Sequence, residues 1–503
     1  MSKPEVIEVK FRTSPGGLRQ LLESHFFAPA TVHSEMLSSI YFDTSVGDLR
    51  NCDVALRIRK LGPGSSILGL KAKRAGPSAR TEIEVRAPGP RPDLSLFDAA
   101  TAAELGRLVG GRTLEAQFET KVRRRTVLVE QGQSEIELAG DEGTIVADGQ
   151  TIAIAEVKLA LKAGKEHDLY DLALKLADEF PLRLDFTSKA ERGFHLAAGA
   201  DAAVVKATSI EYEAAATLED AIAAIISNTL EQFVGNWAAL RTTGSSGAVH
   251  RARVALRRLR AALKMFRREL PFPQFDALQD DARRIASAFG PARECDVLLK
   301  SAGEGPLAHS DRPDGDETWL ASVEERRAAA YGNIRALIED VHTTRFVLDV
   351  RNLLVRCAWR NELASIELAE LNGPIAVFAR KALERLHKRA LERGKHLAKL
   401  PDKERHKLRI TLKNLRYCAE FFGALFGSRR KIRRYIGTLS ALQDLLGAHN
   451  DAVSARQFLD EMPPRVERTS GFVLGWFAGE SLLAEAELRA AWHKFKKADV
   501  FWR

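Results

Sequence analysis

The sequence predicts two parts of different class, an N-terminal α+β part on antiparallel strands and a C-terminal all-α part. Three observations carry this. Over the first 200 residues, short segments alternate apolar and polar residues and are cut by clusters such as Ser14-Pro15-Gly16-Gly17, Gly62-Pro63-Gly64 and Pro88-Gly89-Pro90, the pattern of half-buried strands and turns. From about residue 217 the apolar residues recur at 3.6 spacing among Ala, Leu, Arg and Glu, the pattern of packed helices. Within that second part a block repeats at an offset of 156 residues, which points to a duplicated helical bundle.

The strands, taken in order, each offer one apolar and one charged face, because side chains alternate across a strand. Glu8, Lys10 and Arg12 share a face opposite Ile7, Val9 and Phe11. Arg57 and Arg59 alternate with Leu56 and Ile58, and Lys71 and Lys73 follow the same rule. Glu82, Glu84 and Arg86 oppose Ile83 and Val85, and Lys121, Arg123 and Arg125 oppose Val122. Helical stretches are expected near 16–27, 94–109 and 167–180. The Ala-rich texture around 198–210 marks a linker. The expected domains are 1–200 and 217–503, joined by a linker over 201–216, with helical halves at about 217–345 and 365–500. The polar stretch Gly303–Asp316 reads as a loop. In the repeat, His250, Arg253, Arg257, Leu259 and Arg260 return as His406, Arg409, Lys413, Leu415 and Arg416. About forty residues after each histidine come Gly290-Pro291-Ala292-Arg293-Glu294 and Gly447-Ala448-His449-Asn450-Asp451.

Composition narrows the function. Hydrophobic residues are 45% and charged residues 28%, so each part has enough apolar material for a core. No apolar run approaches 18 residues, which argues against a membrane span, and the charged start MSKPEVIEVKFR is no signal peptide. Cys52, Cys295, Cys357 and Cys418 are scattered without a CxxC pair, which reads as a reducing cytoplasm with neither disulfide framework nor cysteine zinc site. Residues 1–205 hold 27 Lys+Arg against 29 Asp+Glu, and the remainder holds 49 against 38. The whole basic excess therefore lies in the helical part, where an acidic partner is to be sought.

One strand with a charged face is the polar side of an ordinary sheet. Five, carrying both signs, point instead to a closed barrel with its charged face inward and its apolar face on outer helices. Lys and Arg inside would clamp an anion bearing several phosphates, and Glu at the mouth would hold Mg²⁺ or Mn²⁺. Glu8-Val9-Lys10-Phe11, Tyr41-Phe42-Asp43-Thr44, Leu56-Arg57-Ile58-Arg59, Leu70-Lys71-Ala72-Lys73, Thr81-Glu82-Ile83-Glu84 and Ser188-Lys189-Ala190-Glu191-Arg192-Gly193 follow in this order. As a set, over roughly residues 4–198, they resemble the CYTH, or triphosphate-tunnel, family. The resemblance implies an eight-stranded tunnel that binds triphosphate and often hydrolyses it with a divalent metal. It implies phosphate contacts from Lys10, Arg12, Arg57, Arg59, Lys71, Lys73, Arg123, Lys189 and Arg192, and metal ligands Glu8 and Glu156. Two departures matter. The family's opening Glu-x-Glu-x-Lys is here Val6-Ile7-Glu8-Val9-Lys10, and its later Glu-x-Glu is Glu156-Val157-Lys158. Two carboxylates are lost and one position becomes a cation. This leaves open whether the tunnel is a triphosphatase or only a binder.

His250, Arg253, Arg257 and Arg260 are spaced 3, 4 and 3, so they share one stripe of a helix about 15 Å long. His406, Arg409, Lys413 and Arg416 form the matching stripe. A solvated face explains one such helix. A duplicated stripe, nearly free of acids, in the basic half points instead to a groove for a long polyanion. This arrangement, following a CYTH-like region and covering about 217–500, resembles the CHAD domain. The resemblance implies two pseudo-symmetric four-helix bundles and binding of inorganic polyphosphate by all eight of these residues. It also implies a place at cytoplasmic polyphosphate granules.

No HExxH, GxxxxGK[ST] or GxGxxG occurs, so a His metal site and a glycine-loop nucleotide site lack support. Aromatics are 7% and do not interleave with the basic stripes, which weakens a nucleic-acid reading, since stacking platforms need them. Three functions remain: a polyphosphate binder with triphosphatase activity, a pure binding or targeting protein, and a basic scaffold for nucleic acid.

Overall fold

The structure is a computed structural model, and it describes residues 7–27, 32–62, 65–73, 80–199, 202–242, 244–305, 307–308, 316–461 and 467–503. They divide into two compact units: Met1–Val204 with Trp237–Thr243 and Ile338–Cys357, and Val205–Asn236 with Gly244–Leu337 and Ala358–Arg503. The boundary is therefore not a single cut, because two short stretches of the helical half pack with the strands.

The first unit is one antiparallel sheet. Its strands are β1 (Glu8–Arg12), β2 (His33–Asp43), β3 (Val54–Gly62), β4 (Ser65–Lys73), β5 (Arg80–Ala87), β6 (Glu115–Gln131), β7 (Ser134–Ala147), β8 (Gln150–Ala163) and a two-residue β9 (Arg183–Leu184). Their order is β5-β4-β3-β2-β6-β7-β8-β1-β9, eight full strands and one short edge. Helices α1 (Pro15–Leu22), α2 (Ala99–Val109), α3 (Glu166–Glu179) and α4 (Lys189–Ala198) accompany it. The first three fall where the sequence placed them. The fourth was not expected, although its capping box, Ser188 with Glu191, is legible as S-x-x-E.

One face of β2–β5, with Phe42, Leu56, Ile58, Leu68 and Leu70, packs on Phe97 and on Leu105 and Val109 of α2. The other face is concave. Were the sheet flat, β5 and β8 would lie about 29 Å apart at ~4.8 Å per strand. Yet Lys158 of β8 helps hold Glu82 of β5 ionised, and Lys71 of β4 does the same for Glu8 of β1. Charges that reach each other across six strand spacings require the sheet to coil around them. At one end the concave face is apolar and filled by α4, whose Phe194 meets the Phe118 ring edge-on at 5.0 Å. A Cβ at Gly193 would come within 2.1 Å of that ring, so only glycine lets the helix settle there.

The helices that follow along the chain are α5 (Leu218–Val234), α6 (Trp237–Thr242), α7 (Ser246–Phe266), α8 (Gln274–Ala288), α9 (Gly290–Glu304), α10 (Asp316–Ile338), α11 (Val341–Arg356), α12 (Ser365–Leu371), α13 (Ile375–Arg393), α14 (Asp402–Phe422), α15 (Arg429–Asp460) and α16 (Glu467–Lys496); α6 and α11 belong to the first unit and the others make up the second. The repeated stripes lie on α7 and α14. α7 packs on α5, α8 and α9, α14 packs on α13 and α15, and the two touch each other. The halves differ at one legible point. Pro291 opens α9 and separates it from α8, whereas Ala448 at the matching place lets α15 run unbroken for 32 residues, as expected where proline lacks the N–H that helix continuation needs. Trp319 of α10, Cys295 of α9, Leu459 of α15 and Phe477 of α16 close a shared core. Most of the stretch Gly303–Asp316 lies outside the described residues, although α9 runs on to Glu304.

Candidate functional site

The concave face of the sheet carries Glu8, Lys10, Arg12, Arg57, Arg59, Lys71, Glu82, Glu84 and Glu156, as the alternation predicted. Its cations and acids are matched. Arg57, 8% exposed, donates to Glu82 Oε1 (2.8 Å) and Glu84 Oε1 (2.9 Å). Arg59 lies 3.6 Å from Glu84, and Lys71 Nζ lies 2.9 Å from Glu82 Oε2. Burial, then the neighbouring Arg57, pushes Lys71 down to about 8. Lys10 donates to the Thr187 carbonyl, and Arg12 pairs with Glu339. Glu339 also accepts from Arg241 Nε at 2.8 Å. The side chain of Lys73 lies outside the described residues.

Arg123 does not join this face. It sits exposed on the opposite side of β6, and its neighbour Arg124 turns inward instead, donating Nε and Nη2 to both oxygens of Asp141 at 2.7 Å each. The reason is register. Arg124 pairs with Asp141 and Val122 with Gly143, and the space at Gly143 is closed to any Cβ by the Lys121 carbonyl 1.9 Å away. Lys189 of α4 also reaches Asp141 (2.7 Å) and Glu156, and Arg192 pairs with Glu156. Burial opposes ionisation of Asp141, yet Arg124 and Lys189 hold its carboxyl well below the usual range.

The metal pair named from the sequence does not form. Glu8 is opposite Ala160 and Glu156 is opposite Arg12, four residues apart along the ladder, or about 13 Å. Each already has a cation: Lys158 Nζ is 2.8 Å from Glu8 Oε2, and Lys189 and Arg192 hold Glu156. Among the described residues no group of three or more Asp, Glu, His or Cys is placed to hold a metal ion. A divalent cation does not fit these residues.

In the helical unit, α7, α9, α14 and α15 line a groove of ≈ 930 Å³ with His250, Arg253, Arg257, Arg293, Arg409, Lys413 and Arg416. Burial, then Arg409, Arg257, Arg253 and Arg416 around it, lower Lys413 to about 7. Burial, followed by Arg293 and Arg257, brings His250 to about 4, so its ring is neutral at neutral pH. The Nε atoms of Arg257, Arg409 and Arg416 and the hydroxyl of Tyr417 are buried without a hydrogen-bond partner among the described residues, a costly state unless a ligand supplies acceptors. Arg258 is held in the floor by Gln232 Oε1 (2.8 Å) and Asn228 Oδ1 (3.0 Å).

Two residues of the predicted set stay outside this groove. His406 is exposed near the start of α14, and Arg260 lies beside Asp280 and Arg283; neither lines the groove. Sequence reasoning missed Arg293 and the acids Glu294 and Asp451, though all three stand in the second landmark of the repeat. Glu294 faces Arg253 and Asp451 faces Arg409, so the duplication extends to the acids.

A model of the CYTH domain matches residues 5–194, and one of the CHAD domain matches residues 224–460. The CHAD domain from the plant Ricinus communis is 30% identical, with a TM-score of 0.51 over 58% of this chain and 96% of that one. An uncharacterised protein of Mycobacterium tuberculosis is 26% identical over 507 aligned residues, 92% of this chain and 91% of its own length. A Haemophilus influenzae protein named inorganic triphosphatase is 39% identical over 84 residues, 17% of this chain, so that the match spans 24% of that relative's length. By its helical region the chain belongs to the CHAD family, and it carries a CYTH domain ahead of that region.

Proposed function

We propose that the helical groove binds inorganic polyphosphate and that the charged bore of the sheet holds a triphosphate or the end of a longer chain. One observation carries the first part: five cationic side chains, Arg253, Arg257, Arg409, Lys413 and Arg416, converge on one groove, with the Nε donors of three of the arginines left without a partner among the described residues. A flexible chain of evenly spaced anions supplies acceptors to all of them. The triphosphate reading of the bore draws support from the Haemophilus relative's name and from the density of cations on the concave face. Because every inner carboxylate described above is already paired with a cation, the bore holds its ligand rather than cleaving it; no release of phosphate from tripolyphosphate with Mg²⁺ or Mn²⁺ is the expected result, and metal-dependent release would establish hydrolysis.

The nucleic-acid reading is weaker. Of the aromatics that line the groove, Tyr417 and Phe477 are 2% and 6% exposed, and the partly buried Phe458 has the Arg326 guanidinium over its ring at 5.0 Å, a poor set of faces for stacking bases. No helix among the described residues is long and apolar enough to cross a membrane. The protein's expected place is the cytoplasm, at polyphosphate granules. The deciding experiment competes long-chain polyphosphate against duplex DNA and RNA at physiological salt. Polyphosphate should win at least tenfold; equal competition, collapsing as salt rises, would favour the nucleic-acid scaffold.

A further inference from the structure

We infer that Lys158 is the bore's resident cation, standing where a divalent metal would, so that the bore takes a triphosphate without metal. The inference rests on the triphosphate reading above and adds how that site works. Lys158 lies on β8 directly opposite Lys10 of β1, and its ammonium is 2.8 Å from Glu8 Oε2. The same ammonium acts on Glu82 of β5, across the bore. It is therefore paired with a carboxylate on the neighbouring strand, and its charge reaches a second carboxylate on the facing wall, so it supplies the positive charge that a metal ion would bring to this end of the bore. Its side chain is 25% exposed, buried enough to be held and open enough to meet a ligand.

The charges around it exclude a second cation. Lys10 and Lys71 both act on Glu8, and Lys71 is itself paired with Glu82. A divalent ion entering beside Glu8 would have to displace Lys158 and then sit against two further ammonium groups. An incoming triphosphate meets the opposite situation. An ammonium has three donors and no strict geometry. With one donor on Glu8, two remain for phosphate oxygens, so Lys158 bridges carboxylate and phosphate as a metal would. It supplies charge and position but activates no water, in keeping with a bore that binds and does not cleave.

The test uses the full chain with its groove silenced by R253E, R257E, R409E and K413E, so that calorimetry with tripolyphosphate reads the bore alone. Affinity in EDTA and in excess Mg²⁺ should agree within about threefold. K158R should keep that behaviour, and K158M should weaken binding about 30-fold in both media, the scale of a lost charged hydrogen bond, with an unchanged melting temperature marking intact folding. K158E places a second carboxylate beside Glu8, with Glu82 on the facing wall. Mn²⁺ alone, followed by electron paramagnetic resonance, should bind K158E and not the parent, and triphosphate affinity of K158E should recover only when Mn²⁺ is present. Binding by the parent that vanishes in EDTA and returns with Mg²⁺ would overturn the role of Lys158 while leaving the triphosphate reading intact, and so would K158M binding as well as the parent. Absence of tripolyphosphate binding in every medium would bring down the reading and the inference together.

Discussion

The two basic surfaces of this protein solve the same electrostatic problem in opposite ways. In the bore, opposite charges are interleaved: Arg57 with Glu82 and Glu84, Arg124 and Lys189 with Asp141, Lys158 with Glu8. In the groove cations outnumber the acids Glu294, Glu420, Asp444 and Asp451 that also line it, with Lys413 among four arginines and the Nε atoms of Arg257, Arg409 and Arg416 without a hydrogen-bond partner among the described residues. Paired charges hold a scaffold in shape with no ligand present, because a buried ion is tolerated when matched. Crowded cations do the reverse, raising the free energy of the empty protein and lowering it when a polyanion arrives. The bore is thus preorganised, and the groove is stressed until filled.

The largest effect should break the groove and spare the bore. Charge reversal at Arg253, Arg257, Arg409 and Lys413 together should cut polyphosphate affinity by about 1,000-fold or more, from the loss of several charged hydrogen bonds. Titration calorimetry with long-chain polyphosphate reads this, and unchanged affinity would place the site elsewhere. Next in size is the cost of unmatching the bore. Asp141→Asn leaves Arg124 and Lys189 facing a neutral amide at a position 1% exposed, and should destabilise the fold by about 3 kcal/mol. Denaturant unfolding monitored by circular dichroism would show it, and a change below about 1 kcal/mol would mean that the pairing is not structural.

A smaller effect appears in pH. Lys413 titrates near 7 in the empty groove, and a bound polyanion raises that value, so binding takes up a proton. Polyphosphate affinity should be full below about pH 6 and fall by at most about tenfold per unit as pH rises through 7 and above. Lys413→Met should flatten that part of the profile; a slope that survives the substitution would assign the proton to another group. The smallest effect sharpens the contrast most. With no ligand, Lys413→Met should stabilise the protein by about 1 kcal/mol, because it removes a cation from a repulsive cluster, as binding sites traded against stability do. A loss of stability instead would show that the groove is not stressed.

Where the sequence displayed a clean alternation, it placed side chains correctly. Arg57 and Arg59, Lys71, and Glu82 with Glu84 all face the bore, because one phase of each strand carries charge and the other carries Leu, Ile or Val. The segment Lys121-Val122-Arg123-Arg124-Arg125 misled because three consecutive arginines put charge on both phases. Only the pairing of Arg124 with Asp141 and the closeness of β6 to β7 at Gly143 chose between them. Spacing on α7 and α14 likewise announced a basic stripe, but whether each member reached the groove depended on where neighbouring helices cross. Arg260 ends beside α8 and His406 in solvent, while Arg293 arrives from α9.

By itself the sequence determined what local periodicity and short-range chemistry determine: strands then helices, the duplicated stripe, and the concentration of positive charge in the second half. The tertiary structure alone decided the pairings between distant residues. Strand register set Glu8 and Glu156 about 13 Å apart along the ladder and put Lys158 beside Glu8, and the coiling of the sheet carried the charge of Lys158 across to Glu82. Each depends on an offset between segments far apart in the chain, and an offset of that kind leaves no mark on either segment read alone.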